Sequence, residues 1–319
     1  MTGGRGLLGN AVISTAVDHG WHVVALQRNA SGLEDGDRVV DVLGSVTDPA
    51  SVERAMDGCD AVIHMAARVG IEGRWREFED VNVNGTRVVL DAARRAEVRS
   101  FVYVSSPSVA HDGRALVGAG ADPADPDKTR GHYARSKAMA EQLVLQALDV
   151  PVVALRPHLV WGPGDEQLIG RIVSRARSGR LFVIDGGRAL IDTTYIDNAA
   201  DAIVHALDKT IDERVRGRAF VISNGEPRPV REVVQAILAA AGVETSIRSI
   251  PFAPAFLAGA VGEWAGAVSR REPLVTRFLV EQLATAHWFD PRPSWEALDW
   301  RPRIGFDEGM RRVAAYYGA

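Results

Sequence analysis

The glycine spacing at the start of the chain constrains its fold more than any other feature. In Thr2-Gly3-Gly4-Arg5-Gly6-Leu7-Leu8-Gly9, Gly3, Gly6 and Gly9 recur at every third position. Val12, Ile13, Ala16 and Val17 then follow at helical spacing. Glycines permit a tight turn and let backbone N–H groups approach a pyrophosphate, and a helix N-terminus adds partial positive charge. A Gly-rich loop alone can be a plain turn. A helix behind it and a strand at the right distance make it a nucleotide loop, with Gly3, Arg5, Gly6, Leu7, Leu8 and Gly9 as contacts.

The following stretch repeats one pattern. Short apolar runs at His22–Leu26, Arg38–Val42, Ala61–His64, Ser100–Ser105 and Val152–Leu155 alternate with amphipathic segments at Gly6–His19, Asp48–Met56, Phe78–Ala96 and Tyr133–Leu148. This alternation predicts βαβ units: an α/β, doubly wound parallel sheet of Rossmann type with helices on both faces. Ala110–Arg130, rich in Gly, Asp and Pro, reads as a surface loop. Beyond residue 165 the pattern loosens, as expected of a smaller C-terminal substrate cap. The expected division is a dinucleotide-binding domain over 1–165, with 191–224 returning to it, and a cap over 166–190 and 225–319. The strand that should precede Gly3 is reduced to Met1 and Thr2, where a central strand needs about five apolar residues. The expectation is a truncated first strand and a native start lying upstream.

Composition narrows the function. The 319 residues carry 37 basic and 41 acidic side chains, so no nucleic-acid partner is expected. One cysteine, Cys59, excludes an internal disulfide framework and fits a reducing cytoplasm. The apolar run Ile250–Gly262 is too short for a transmembrane segment. The eight histidines lack metal-ligand spacing, so no metal is expected.

The second strand ends at Gln27 and Arg28. An NAD site usually places a carboxylate there for the ribose 2′-hydroxyl. Gln27 in that position, with Arg28 and Arg5 nearby, argues for a 2′-phosphate and hence NADPH over NADH. Surface arginines of an Arg-rich chain are the plainer alternative.

Tyr133 and Lys137 form a YxxxK pair on one helix face. With five tyrosines and, by the sequence, only Lys128, Lys137 and Lys209 as lysines, chance gives roughly 0.05 such pairs, so the match carries weight. An ammonium beside a phenol favours the phenolate, which would bring tyrosine proton exchange near neutral pH. Upstream, the apolar strand Phe101–Val104 ends in Ser105, Ser106 and Ser108. Ser106 is placed to hydrogen-bond a substrate carbonyl, and Ser105 and Ser108 are its rivals.

Taken together, TGGRGLLG, Val81–Thr86 (VNVNGT), the serine strand, YxxxK and Leu155-Arg156-Pro157 resemble the extended short-chain dehydrogenases/reductases. Val160–Asp165 (VWGPGD) and Ala189–Asn198 (ALIDTTYIDN) point to the 3β-hydroxysteroid dehydrogenase-like branch. Within it, ALRPHLVWGPGDEQL, DTTYIDNAA, ISNGEP and TRFLVEQLATAHW are similar to the reductases of 2-alkyl-3-oxoalkanoates in long-chain olefin biosynthesis. The resemblance implies Ser106, Tyr133 and Lys137 as catalytic residues and Asn82 as an organiser of the site. It also places Ala66 and Arg156, Pro157 and His158 beside the cofactor. One departure is Gly44-Ser45, where the family often has Gly-Asp beside the adenine. The expected substrate is a hydrophobic small molecule, with a homo-oligomer or an assembly with other pathway enzymes as possible settings. Steroid dehydrogenation and, behind it, nucleotide-sugar epimerisation are the enzyme alternatives, and a nucleotide-binding regulator or scaffold without turnover is the alternative of another class. Phe252–Val268 reads as an apolar helix for packing the cap, lining a substrate tunnel, resting on a membrane surface or contacting a partner.

Overall fold

The computed structural model describes residues 1–30, 32, 38–70, 73–111, 113–269 and 277–318. The strands run β1 (Val23–Gln27), β2 (Val39–Leu43), β3 (Ala61–His64), β4 (Ser100–Val104), β5 (Leu116–Ala119), β6 (Val152–Pro157), β7 (Val160–Trp161), β8 (Phe182–Ile184), β9 (Leu190–Ile191), β10 (Thr194–Tyr195), β11 (Arg218–Ile222), β12 (Arg228–Pro229), β13 (Arg248–Ile250) and β14 (His287–Phe289). The helices are α1 (Leu7–Asp18), α2 (Pro49–Met56), α3 (Trp75–Phe78), α4 (Gly85–Arg95), α5 (His132–Leu145), α6 (Ile169–Arg177), α7 (Ile196–His205), α8 (Val230–Ala240), α9 (Phe252–Ser269), α10 (Arg277–Ala284), α11 (Arg292–Leu298) and α12 (Phe306–Tyr317).

The main sheet is parallel and has the order β2, β1, Thr2, β3, β4, β6, β11. Thr2 takes the central place, bridged in parallel to Leu26 on one side and His64 on the other. Leu26 N–H donates to the Met1 carbonyl at 2.8 Å, and Thr2 N–H donates to the Ile63 carbonyl at 3.0 Å. Beside Met1, between β1 and β3, lies a cavity of about 310 Å³ lined by Trp21, Val23, Cys59, Ala61 and Ile63. The two residues before Gly3 therefore join the two halves of the sheet at its carboxyl side.

Period-two alternation divides the core between the two faces of this sheet. Val102, Val104, Val153 and Leu155 meet Val12, Ile13 and Ala16 of α1 and Ala200 and Ile203 of α7. Phe101, Tyr103, Val152 and Ala154 meet Val89 and Leu90 of α4 and Ala140 and Val144 of α5. Each fully buried aliphatic or aromatic side chain contributes about 1.5–3 kcal/mol. Both faces are covered, as a parallel sheet requires.

A second core packs α6, α8 and α12 around Trp161, Tyr195 and Phe306. A second small sheet has the order β12, β9, β14, β5. Its β5 corrects the reading of 110–130 as a plain loop. The four residues Leu116–Ala119 carry little strand signal of their own and become a strand by pairing with distant β14. The expected helix over Phe78–Ala96 is also interrupted. A π-helical segment, Glu79–Asn84, separates α3 from α4. In α9 Ala255 is buried while Leu257 and Val261 are exposed. Its side chains from Glu263 onward, and Thr276 of the TRFLVEQLATAHW motif, lie outside the described residues. Among the described residues no helix is long and apolar enough to cross a membrane.

Candidate active site

The glycine loop connects Thr2 to α1. Gly3 has φ +79°, and a Cβ there would lie 2.8 Å from the Ala66 nitrogen. A Cβ on Gly9 would lie 2.4 Å from the Gly3 carbonyl oxygen. No side chain fits at either position, which lets the loop, α1 and the exit of β3 close together. Gly6 caps α1 without a side-chain hydrogen bond. The first-turn N–H groups thus stay available to an anion. A cavity of about 960 Å³ opens there, lined by Gly3, Arg5, Gly6, Gln27, Arg28 and Ala66 and, further on, by Gly44, Ser45 and Thr47. These residues fit a dinucleotide: glycines at the pyrophosphate, two exposed guanidinium groups near the expected ribose, and small polar residues beyond.

Gln27 is buried, and its Nε2 donates to Asp41 Oδ1 at 2.6 Å. The cavity therefore has a carboxylate behind Gln27 that reading the strand end alone did not reveal. Of the loop residues, Leu7 is 40% exposed and Leu8 packs between two core clusters. Neither lines the cavity, and Gly9 serves it from behind by close packing.

The second part of the site lies at the carboxyl end of β4. Ser106 starts a short 3₁₀ turn, and its Oγ accepts from Ser108 N at 3.3 Å and Ser108 Oγ at 2.9 Å. Tyr133 stands in the first turn of α5, one turn before Lys137 on the same face. Burial raises the Tyr133 pKa, and a hydrogen bond with Ser106 pulls it the other way. The expected lowering by Lys137 is not seen: the lysine has other partners. Its Nζ donates to the Val104 carbonyl at 2.6 Å and lies 4.1 Å from the centroid of the Tyr103 ring. Lys137 is 2% exposed. Burial lowers its pKa to about 7, and the Glu141 carboxylate opposes that shift.

Asn82 sits in the π-helical segment, a feature often found at functional sites. Its Oδ1 accepts from Arg68 N at 2.7 Å, and its Nδ2 donates to Arg68 O at 3.0 Å and Ser136 Oγ at 2.8 Å. Ser136 Oγ donates in turn to the Tyr133 carbonyl at 2.9 Å. Asn82 is thus joined to the helix that carries the tyrosine.

The Arg156-Pro157-His158 segment ends β6, but two of its side chains are engaged elsewhere. The Arg156 guanidinium pairs with Glu141 of α5 at 2.9 and 2.5 Å and donates to the Asp122 carbonyl at 2.9 Å. Its Nε and Nη2 therefore brace α5, the helix of Tyr133 and Lys137, to the sheet. His158 contacts His287 of β14 at 3.1 Å, and the Phe289 ring lies 5.1 Å away. Burial lowers the pKa of both histidines, that of His287 to about 4. The pair ties the main sheet to the small sheet that holds β14. Pro157 is half-buried between them. Sequence reading missed Thr2, His64, Thr86, Tyr103, Ser136 and Glu141. Only Glu141 carried a visible signal, one further turn along the Tyr133–Lys137 face. Among the described residues no cluster of three potential metal ligands occurs.

Comparisons with known proteins agree with this geometry. Residues 1–252 match the 3-beta hydroxysteroid dehydrogenase/isomerase family. A 2-alkyl-3-oxoalkanoate reductase of Stenotrophomonas maltophilia is 41% identical, over 99% of this chain and 98% of that protein. A protein of the same description from Shewanella oneidensis is 33% identical, over 99% of this chain and 85% of its own length. Among solved structures, the Bordetella bronchiseptica enzyme WbmH, in complex with NAD+, superimposes with a TM-score of 0.77. It is 21% identical, over 99% of this chain and 97% of that one, and shares the fold.

Proposed function

The chain belongs to the 3-beta hydroxysteroid dehydrogenase/isomerase family and is an oxidoreductase, and on that premise we propose that it reduces the 3-keto group of a 2-alkyl-3-oxoalkanoate to the 3-hydroxy acid. NADPH, when bound, supplies the hydride that adds to C3. Gly3, Gly6 and the first turn of α1 would hold its pyrophosphate, and Arg28 and Arg5 its 2′-phosphate. Ser106 Oγ donates a hydrogen bond to the ketone oxygen and stabilises the negative charge that grows there. Tyr133 gives its phenolic proton to the same oxygen, so the carbonyl becomes a secondary alcohol and the phenolate is reprotonated from solvent. Lys137, in its ammonium form, offsets that phenolate charge.

The observation that carries this reading is the packing of α5, with Tyr133 in its first turn, against the short turn that Ser106 opens at the carboxyl end of β4, where burial raises the phenol pKa. A phenol kept protonated is the form that reduction consumes. The 41% identity to a 2-alkyl-3-oxoalkanoate reductase supports the substrate class.

The family description favours a second reading, oxidation of a 3β-hydroxysteroid or sterol by the same residues. The purified protein should oxidise a long-chain 2-alkyl-3-hydroxyalkanoate with NADP+, followed by nicotinamide absorbance. That direction avoids the spontaneous decarboxylation of 3-oxo acids. Turnover of 3β-hydroxysteroids without turnover of the hydroxy acid moves the assignment to the second reading.

A further inference from the structure

We propose that His64 is a positioning residue, locking the glycine loop to the helix of Tyr133 through one fixed imidazole tautomer. His64 ends β3 and is fully buried. Its Nδ1 lies 2.7 Å from Thr2 Oγ1 and its Nε2 lies 2.9 Å from Thr86 Oγ1. Thr2 precedes Gly3, and Thr86 stands in the first turn of α4.

The neighbours decide where the protons sit. Thr86 Oγ1 is 2.6 Å from the Asn82 carbonyl, which can only accept. Thr86 therefore directs its one proton there and must accept from His64 Nε2–H. On the other side Thr2 Oγ1 already accepts from Met65 N at 3.2 Å and Ala66 N at 3.0 Å. The Met65 N–H is shared with the Thr2 carbonyl at 3.3 Å, and with Nε2 protonated toward Thr86 it is the bare Nδ1 that accepts the Thr2 hydroxyl proton. One neutral tautomer satisfies the imidazole and both threonines, and a protonated ring would leave the Thr2 hydroxyl proton without an acceptor. Burial and the Lys137 ammonium both disfavour a second proton, lowering the pKa to about 3. Beyond Thr86 the path continues through Asn82 and Ser136 to the Tyr133 carbonyl. The imidazole thus sets the glycine loop in register with the proton donor, two parts of the site on elements far apart in sequence.

This inference rests on the reading of Gly3–Gly9 as the cofactor loop and Tyr133 as the acid. Its test separates the two ends of the ring. An Asn amide oxygen can replace Nδ1 but does not reach Thr86, and a Gln amide nitrogen can replace Nε2 while losing Thr2. His64→Asn should keep the NADPH Kd within about threefold and lower kcat about tenfold or more. His64→Gln should weaken NADPH about tenfold and keep kcat within about threefold. These are the losses of a buried hydrogen bond, roughly five- to a hundredfold.

A ring that merely fills space would let both variants lose the same parameters together, which overturns the proposal. So would His64→Leu with both constants intact. If neither variant folds by near-UV circular dichroism, histidine ¹⁵N spectra of the unmodified protein decide. Nε2 should be protonated and Nδ1 bare down to about pH 5, and a protonated Nδ1 overturns the assignment. An unmodified protein that binds neither NADPH nor NADH instead sinks the cofactor reading, while the tautomer remains measurable.

Discussion

The Glu141–Arg156 pair should decide whether α5, the helix of Tyr133 and Lys137, stays seated on the sheet. Each side chain is 1% exposed, and the contact is bidentate at 2.9 and 2.5 Å. Replacing Glu141 by Leu leaves the Arg156 guanidinium buried with only the Asp122 carbonyl as a partner. Breaking a buried pair from one side costs about 3–5 kcal/mol, because an uncompensated charge remains. A large domain shifts its melting temperature by about 2–4 °C per kcal/mol, so the loss is roughly 6–20 °C. Removing both charges, as in Glu141→Leu with Arg156→Met, takes away the uncompensated charge along with the pair. Such double replacements by apolar residues of similar volume are often neutral. The double variant should therefore recover most of the loss in a thermal melt followed by circular dichroism. Turnover should follow the same order, because Tyr133 and Lys137 ride on the same helix. A single variant within about 1 kcal/mol of the parent, or a double variant no better than the single, refutes the argument that burial makes this pair sensitive.

Four further outcomes are expected. Tyr133→Phe removes only the donated proton, so turnover should fall about 10²-fold or more while NADPH still binds in a fluorescence titration; near-normal turnover places the proton source elsewhere. Arg28→Ala should weaken NADPH about ten- to a hundredfold and leave NADH nearly unchanged in parallel titrations, the loss of one charge-assisted contact. Because burial lowers the Lys137 pKa to about 7, the ammonium dominates below that value and disappears above it. The kcat/KM of reduction should accordingly fall as pH rises through about 7, and Lys137→Met should lack that limb. Lengthening the 2-alkyl chain should raise kcat/KM by up to about fourfold per methylene, the factor for about 0.8 kcal/mol of burial, until the pocket is filled.

The fold was legible where local pattern and tertiary demand coincide. β4 and β6 are buried on both faces, so they read as continuous apolar runs, and α4, just ahead of β4, carries clear amphipathic spacing. The Tyr133–Lys137 pair was legible for a similar reason, since one helix turn places both residues by spacing alone. Leu116–Ala119 was not legible, because it becomes a strand only through β14, far along the chain. The expected helix over 78–96 hid the π-helical segment, since a single extra residue per turn barely disturbs an apolar period. Yet that segment carries Asn82, whose side chain reaches Ser136.

The residues missed at the site share a physical character. Thr2, His64, Thr86 and Ser136 are polar, fully or nearly buried, and sit where a pattern of apolar residues would be equally consistent with the fold. Their role lies in pairing, and pairing across three separate elements leaves no spacing in the sequence. Arg156 shows the converse. Its place in Leu155-Arg156-Pro157 suggested a cofactor contact, but a guanidinium at the buried end of β6 needs a carboxylate, and Glu141 supplies it. A motif locates a residue along the chain. The partner that satisfies its charge determines whether it faces the ligand or braces the helix that does.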